Sequence, residues 1–519
     1  MEIKKDISYK KSTKCQDVYT ESQADYVLPD YMGDMRKILF TEATVRPSGR
    51  FAGGETVEIS GVVVYNVIYL SSEGELSAVE FSSDYDYSVK CSGDNYSDSV
   101  AHTRVSNYAI RLIGPRKISA RASLVGSVRL LETGDISVSG DAFSGSFCPE
   151  TSLVSLNIRQ SALSSVTERE YAEQLARLDG AISDEISLLY PTAELICEQT
   201  AAEGDSVTLS GRLKMSAILV NADEEAVLIE KIVPFEESVE LEGADKMLGL
   251  SSHSEVCSVK ASVNADENGC SVVLSVVVEY RVLGEGNARV EPISDGYMRD
   301  CATDNQYSRL NYTTVVESLR EKGTHNAEIA LSEIEIAEIG EIIFLTAQPK
   351  IERVEKGAGE LRLLGEIKYS GVAKEGSGDT LSYIGLKFSS PFAVNVNTSC
   401  QNVENMQVEA DVRAGNCSAS FDKEKLYASC TLESTLTVSE EKECRYLSAM
   451  NRIESEKYEA VSSRITVYYP DAGDTLFSVA KRYHTSGVKL AGDNDISELV
   501  FAADNQSGSL ASVKKLIIF

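Results

Sequence analysis

Residues 57–65 read VEISGVVVY, and the same pattern of apolar and polar residues recurs twice farther along the chain. Residues 207–215 read VTLSGRLKM, and residues 361–369 read LRLLGEIKY. Each run alternates apolar and polar side chains, which predicts a β-strand with one buried face. The equivalent glycines, 150 and 154 residues apart, are Gly61, Gly211 and Gly365. A glycine inside a strand indicates a bulge or a close backbone approach.

Further features recur around each glycine. An apolar stretch precedes it at residues 38–40, 188–190 and 342–345, and an acidic or glycine-rich turn follows it. A phenylalanine comes next in each copy, as Phe81, Phe235 and Phe392, and a hairpin-like pair of strands closes the copy. Short strands separated by turn residues about every ten positions are typical of β-sandwiches and barrels. The chain is therefore expected to be mainly β, with three tandem antiparallel β-sandwich or barrel-like domains of about 110 residues each.

The segments between the copies predict the connections. The capping box Thr167-Glu168-Arg169-Glu170 predicts a helix through about Leu178, and a second short helix is expected over residues 311–322. The expected divisions are an N-terminal segment with the first β domain (1–160), a helical linker (161–184), the second β domain (185–297), a linker (298–329), the third β domain (330–445), a hinge (446–463) and a C-terminal module (464–519).

The charge of the chain excludes some classes of partner. The 519 residues carry a net charge of −30, which argues against binding to nucleic acid or anionic membranes. From residue 464 onward acidic and basic residues balance, so the excess negative charge lies in residues 1–463.

Three observations favour a cytoplasmic protein. The N-terminal lysines have no apolar segment behind them, so we expect no signal peptide. No apolar run approaches the roughly 18 residues that cross a bilayer, so no membrane insertion is expected. The 11 cysteines are odd in number and contain no Cys-x-x-Cys pair, which suits reduced thiols.

Residues 472–484, which read AGDTLFSVAKRYH, lie between two β-type runs at residues 465–469 and 515–519. Pro470 and Gly473 are expected to end the first strand, and Asp474 is expected to cap the helix that follows. One apolar stripe with helical spacing comprises Leu476, Val479, Ala480 and Tyr483. The local pattern predicts a small capped helix packed on a hairpin.

The Gly-Asp-Thr-Leu run resembles the first half of a LysM domain, a small βααβ recognition module. The resemblance implies that a glycan or peptide ligand lies between this loop and the loop before the last strand. The positions expected to bind a partner are Gly473, Asp474, Thr475, Leu476, Lys481, Asn494, Asp495, Ile496 and Ser497. The Asn-Pro that usually follows the second helix in this family is missing.

The triple repeat resembles the SPOCS domain, a spore-coat-associated family. Residues 113–121, which read IGPRKISAR, are similar to the Asn-Pro-Arg-Lys motif of that family, whereas the other two copies lack it. Several such domains followed by LysM resemble spore morphogenetic proteins of the SipL type. The resemblance implies a scaffold in the mother-cell cytoplasm, at the forespore surface in the basal coat layer. Its LysM module would dock onto a coat-basement ATPase (SpoIVA-like) alongside other coat proteins. Peptidoglycan or cortex glycan is the alternative ligand.

No pattern of catalytic or metal-binding residues stands out. The four histidines are His102, His253, His325 and His484, which are far apart in sequence and lack metal-ligand spacing. A phosphate-binding Gly-x-x-x-x-Gly-Lys loop is missing, and the abundant carboxylates single out no pair. We therefore expect no enzyme activity, cofactor or metal; a hydrolase is the weakest alternative.

Overall fold

The computed structural model describes residues 6–53, 55–90, 96–141, 145–150, 155–376, 382–458, 465–496, 510 and 513–519. These residues form β-sheets in the body, which are antiparallel except where Ser139–Gly140 pairs in parallel with residues 449–450, and a small α/β module at the C-terminus. The prediction of a mainly β fold is confirmed.

The first repeat contains a three-stranded meander and a four-stranded sheet. The order is β3-β4-β5 in the meander, while β1, β2 and β6 all pair with β7 in the second sheet. The strands are β1 (Asp6–Lys14), β2 (Val18–Val27), β3 (Met35–Gly53), β4 (Thr56–Ser71), β5 (Leu76–Lys90), β6 (Tyr96–Gly114) and β7 (Lys117–Ser137). Two short strands follow, β8 (Ser139–Gly140) and β9 (Phe147–Glu150).

The second and third repeats also contain a three-stranded meander and a second sheet centred on the closing strand, and the short strand β14 (Gly249–Ser252) is an addition in the second repeat. The second contains β10 (Leu156–Asp179), β11 (Ser187–Glu203), β12 (Ser206–Val220), β13 (Ala226–Glu240), β14 (Gly249–Ser252), β15 (Glu255–Asp266) and β16 (Gly269–Val290). After the short strand β17 (Asp295–Met298), the third contains β18 (Cys301–Ala330), β19 (Ile339–Gly357), β20 (Glu360–Glu375), β21 (Tyr383–Asn397), β22 (Gln407–Phe421) and β23 (Lys425–Lys457). Short 3-10 turns lie at Ser183–Glu185, Ala244–Lys246 and Leu331–Ile334.

In every repeat the opening strand pairs with the closing strand. β10 pairs with β16, β18 pairs with β23, and β1 and β2 together line the equivalent strand β7. The meander packs against this sheet, and each repeat has a separate apolar core between its two sheets. The closing hairpins predicted in the second and third copies are confirmed, with Val256 opposite Val278 and Val408 opposite Val438. In the first copy, residues 120–131, which the sequence predicted to form a pair of strands, lie within the single strand β7, and the hairpin partner of β7 is β6.

The predicted helices at 167–178 and 311–322 are wrong, because both segments belong to opening strands. The 161–184 and 298–329 linkers are therefore largely strand. Pairing with a distant strand overrides the local helix-capping signal, because β10 forms an antiparallel ladder with β16 along nearly its whole length. Tyr171 and Leu175, on one face of β10, pack against the second core.

The proposed hinge at 446–463 is also wrong over its first part. Residues 446–457 continue β23 and pair with β18, and Leu447 is fully buried. Residues 459–464 lie outside the described residues. This stretch is rich in polar residues because one face of the strand is exposed to solvent.

The repeated glycines have a common physical cause. Directly across the strand pair, an aromatic residue faces each glycine: Tyr85 faces Gly61, Phe235 faces Gly211 and Phe392 faces Gly365. A Cβ at Gly365 would lie 2.1 Å from the Lys350 carbonyl oxygen and 2.7 Å from the Phe392 ring. The opposite strand carries a register shift beside each glycine. Both the bulge and the close approach are therefore confirmed, although the aromatic partner in the first repeat is Tyr85 and not Phe81.

Three equivalent aromatic residues join the repeats at one shared core. Phe40, Tyr190 and Phe344 lie at register shifts in β3, β11 and β19, where a bulge can turn a side chain away from its own sheet. The ring centroid of Phe40 lies 5.1 Å from that of Tyr190 and 5.0 Å from that of Phe344. The ring centroids of Tyr190 and Phe344 are 5.4 Å apart. This aromatic triangle places the three meanders around an approximate threefold axis.

A buried charge network joins the three repeats through their other sheets. Glu409 of the third repeat accepts hydrogen bonds from Arg129 of the first, at 2.5 Å, and from Arg159 of the second, at 3.0 Å. Arg159 also pairs with Glu285 at 2.9 Å. Burial opposes ionisation of Glu409, but Arg129 and Arg159 outweigh it and lower the pKa of its carboxyl. Each buried charge thus has a partner from another strand.

The C-terminal module has the expected βααβ order. It contains β24 (Thr466–Tyr468), α1 (Leu476–Arg482), α2 (Gly487–Asp493) and β25 (Leu516–Ile518), with β24 antiparallel to β25. The buried residues Leu476, Val479 and Ala480 confirm the helical stripe and pack with Leu490 and Leu516.

Candidate ligand-binding site

The first loop of the module is an ordered turn with an exposed tip. Gly473 has a φ of 97°, which favours glycine, and a Cβ there would meet nothing within 4 Å. The Asp474 carboxylate accepts hydrogen bonds from the Tyr468 hydroxyl at 2.5 Å and from the Asp471 N–H at 2.8 Å. The Tyr468 hydroxyl bond is the main cause of a lowered pKa at Asp474. The carboxylate thus holds the loop together, leaving residues 471–473 exposed.

Thr475, and not Asp474, caps α1. The Thr475 hydroxyl accepts from the Ser478 N–H at 3.0 Å, and the Ser478 hydroxyl accepts from the Thr475 N–H at 2.9 Å. Leu476 is 1% exposed and belongs to the module core. Within the Gly-Asp-Thr-Leu run, only the tip and the backbone are therefore open to a ligand; the other side chains build the module.

The second segment predicted to bind a partner is divided between structural and exposed positions. The Asn494 amide donates to the Leu490 and Ile517 carbonyls and accepts from the Ile517 N–H, so it ties α2 to β25. Asp495 is exposed with a φ of 54°, and Ile496 packs against the module core. Ser497 lies outside the described residues.

One backbone contact joins the first loop to the chain before the last strand. The Leu510 N–H donates to the Asp474 carbonyl at 3.1 Å, and Leu510 is buried in the module core. This contact is made by Leu510, which lies outside the predicted second segment at residues 494–497.

The body covers the outer side of α1. Lys481 forms an ion pair with Asp295 of β17, which also accepts a hydrogen bond from Tyr307. Tyr297 donates to the Thr485 carbonyl at 2.6 Å, and its ring packs on Phe477 with centroids 5.3 Å apart. Lys481 thus already has a partner within the chain, and the module is fastened to β17 through α1.

The outer face of the module's sheet carries exposed apolar residues. Val467 and Tyr469 point away from the core, with Ile465 before them and Phe519 at the end of the neighbouring strand. Between 51% and 69% of each of these side chains is exposed. We call these four residues the apolar sheet face. Sequence alternation in residues 465–469 could have identified it, but the sequence alone did not say which face was buried.

Within the described residues, the four histidines lie in three separate places. No group of three or more His, Cys, Asp or Glu side chains there is arranged to hold a metal ion. The structure does bring His102 and His253 together, with ring centroids 6.5 Å apart. Each lies three residues before the start of a register shift in the closing hairpin of its repeat, and the sequence alone does not reveal that shift. His325 and His484 lie elsewhere, against Tyr369 and Tyr458.

None of the helices in the described part of the chain is long and apolar enough to cross a membrane.

Comparison with known proteins identifies the C-terminal module. A family profile described as the LysM domain matches residues 472–499. The match covers the first loop from Ala472, both helices and the predicted second segment at residues 494–497, so the chain contains a LysM domain in the place that the sequence predicted. No curated protein and no solved structure matches the chain.

Proposed function

We propose that the chain is a non-enzymatic adaptor: the three-repeat body holds the LysM module in place, and the module binds a partner outside the chain. In this proposal the partner is a coat-basement ATPase (SpoIVA-like) at the forespore surface. The protein then acts in the mother-cell cytoplasm as a SipL-like spore-coat scaffold.

The apolar sheet face is the observation that carries the proposal. Protein interfaces are enriched in aromatic and apolar residues at their centre, whereas scattered single apolar residues carry no such meaning. Here Val467 and Tyr469 lie on one face of a small module, next to Phe519. Because α1 is fastened to the body, this face is presented in a defined orientation, which reduces the entropy lost on binding.

The resemblance of the body to SPOCS domains supports the spore-coat setting. The acidic body supports a protein partner over an anionic polymer, since like charge opposes approach of such a polymer.

A binding assay on the full chain tests this proposal. The double variant Val467→Lys/Tyr469→Lys places charges on the apolar sheet face without touching the module core. We expect it to weaken binding to the purified coat-basement ATPase by about thirtyfold or more, as for other interface hot spots. Val488→Lys is the matched control, because Val488 is 78% exposed on α2. Unchanged ATPase binding by the double variant would refute the proposal.

A second candidate is a peptidoglycan or cortex-glycan ligand at the first loop. It is supported by the LysM match and by the exposed tip beside Gly473. Sedimentation with purified peptidoglycan, using the wild type and Ala472→Arg, tests it. Saturable retention that Ala472→Arg removes and Val467→Lys/Tyr469→Lys leaves intact would favour the glycan over the protein partner.

A further inference from the structure

The three repeats border a large, partly open cavity between them. It has a volume of about 1190 Å3. Its lining comes from β3, β6 and Ile59 of the first repeat, from Leu163, Glu168 and parts of residues 253–257 and 279–281 of the second, and from β19 to β22 of the third. Ligand pockets in proteins are commonly about 300–1,000 Å3. We call this space the basic cavity, for the reason that follows.

The charge of its lining is opposite to that of the protein. The whole chain has 50 basic and 80 acidic residues, but the lining has nine lysines or arginines and four acidic residues. Three of those carboxylates are already engaged, because Glu255 and Glu279 pair with Arg281, and Asp411 pairs with Arg413.

Five of the basic side chains in the lining are exposed to solvent and have no side-chain partner among the described residues. In that part of the chain, the five that make no hydrogen bond or ion pair with another side chain are Arg104, Arg111, Lys350, Lys368 and Lys387. They come from the first and third repeats, on strands β6, β19, β20 and β21. Like charges that converge on one space repel each other, and a bound anion relieves that repulsion.

The histidine pair lies in the same cavity. His102 is exposed to the solvent of the cavity and His253 is partly buried, but the surrounding protein still desolvates both rings. This desolvation is the main cause of a lowered pKa at both rings, and it brings the pKa of His253 to about 4. Arg413 lowers both pKa values further, Arg104 lowers that of His102 and Arg281 that of His253, whereas Asp411 acts in the opposite direction. Two neutral imidazoles can therefore become additional cationic donors once negative charge enters.

We propose that the basic cavity binds a small multivalent anion that carries phosphate or carboxylate groups. Lys350 and Lys368 contact it from the third repeat and Arg104 and Arg111 from the first, so the ligand bridges two repeats. This site is separate from the LysM module and does not depend on the adaptor role.

Calorimetric titration of the full chain tests the site, with inorganic pyrophosphate in one arm and citrate in the other. We expect saturable binding of at least one of the two anions. Binding of pyrophosphate identifies phosphate as the recognised group, and binding of citrate identifies carboxylate. The double variant Lys350→Gln/Lys368→Gln should lower the affinity about tenfold or more, because it removes two positive charges that can form charge-assisted hydrogen bonds to the anion. The matched control Lys423→Gln/Lys514→Gln removes two exposed lysines outside the cavity and should change affinity less than about twofold.

Histidine titration by NMR gives a readout on the unmodified protein. Added ligand should raise the pKa values of His102 and His253 and leave those of His325 and His484 unchanged. The proposal is overturned by no saturable binding in either arm, by equal affinity in the cavity and control variants, or by equal shifts at all four histidines. If the cavity variant fails to fold, the wild-type titration decides.

Discussion

At the scale of single residues, close neighbouring atoms explain why β4, β12 and β20 each carry a glycine at the equivalent position. Each glycine faces an aromatic ring from the neighbouring strand and a carbonyl from the opposite one. The sequence predicted this crowding from position alone, whereas the identity of the ring needed the register. A methyl group there has no room, because the carbonyl belongs to a paired strand.

Gly365→Ala should therefore destabilise the protein by about 1–3 kcal/mol, the usual cost of overpacking. Gly323→Ala is the matched control in the same repeat, because a Cβ there meets nothing within 4 Å. Urea denaturation followed by circular dichroism measures both variants. Equal stability of the two variants would contradict the proposed packing.

The buried network gives a pH dependence with a defined sign. The pKa of Glu409 is lowered below its ordinary value of 4.5 in the folded chain, so the unfolded carboxyl takes up a proton first as the pH falls. Its stabilising contribution is thus complete above pH 4.5 and is lost as the pH falls through the folded pKa.

Glu409→Gln leaves Arg129 and Arg159 short of a charged partner, which should cost about 3–5 kcal/mol at pH 7. The difference in unfolding free energy between wild type and variant should shrink below pH 4.5. The partly exposed Glu440, on the same sheet, supplies the control Glu440→Gln. A pH-independent difference would show that Glu409 does not act through its charge.

At the scale of elements, strands with a clean two-residue alternation were predictable, and the opening strands were not. The central strands alternate because one face is buried in a sandwich core. In β10, the capping box and the alanines mimic a helix start, and only pairing with β16 decides the conformation. The sequence motif was enough to locate the LysM loop. The motif did not show that Thr475 caps α1, that Asn494 ties α2 to β25 or that Lys481 forms an ion pair with Asp295, because these roles depend on contacts seen only in the structure.

Ala172→Thr distinguishes strand from helix at β10. Ala172 is on the exposed side of the strand, so a β-branched residue should leave stability unchanged or raise it by up to about 1 kcal/mol. In a helix the same change would lower stability by roughly 0.5 kcal/mol. The denaturant midpoints of the wild type and the variant, compared at the same m-value, show whether the substitution raises or lowers the free energy of unfolding.

At the scale of the whole molecule, the aromatic triangle makes three sandwiches into one cooperative body. Phe40, Tyr190 and Phe344 each contact the other two. Unfolding of any one repeat would therefore expose apolar surface of its neighbours. We expect one unfolding transition for the body instead of three.

A double-mutant cycle measures this coupling. Phe40→Ala and Phe344→Ala should each cost about 3–5 kcal/mol, with a coupling of about 0.5–1.5 kcal/mol between them. Phe51, which is 67% exposed, supplies the control pair: Phe51→Ala and Phe344→Ala should add without coupling. Additive losses in the first cycle would mean that the rings do not act together.

The aromatic triangle also bears on how such a chain can arise. Three sequential copies around one axis do within a single polypeptide what a ring-shaped homotrimer does with three chains. Gene duplication followed by fusion preserves that geometry and frees each copy to diverge. Tyr190 illustrates the divergence: where the other copies carry phenylalanine, its hydroxyl donates to Glu42 of the first copy. That one oxygen atom distinguishes the neighbours, so each copy has one assigned place around the axis.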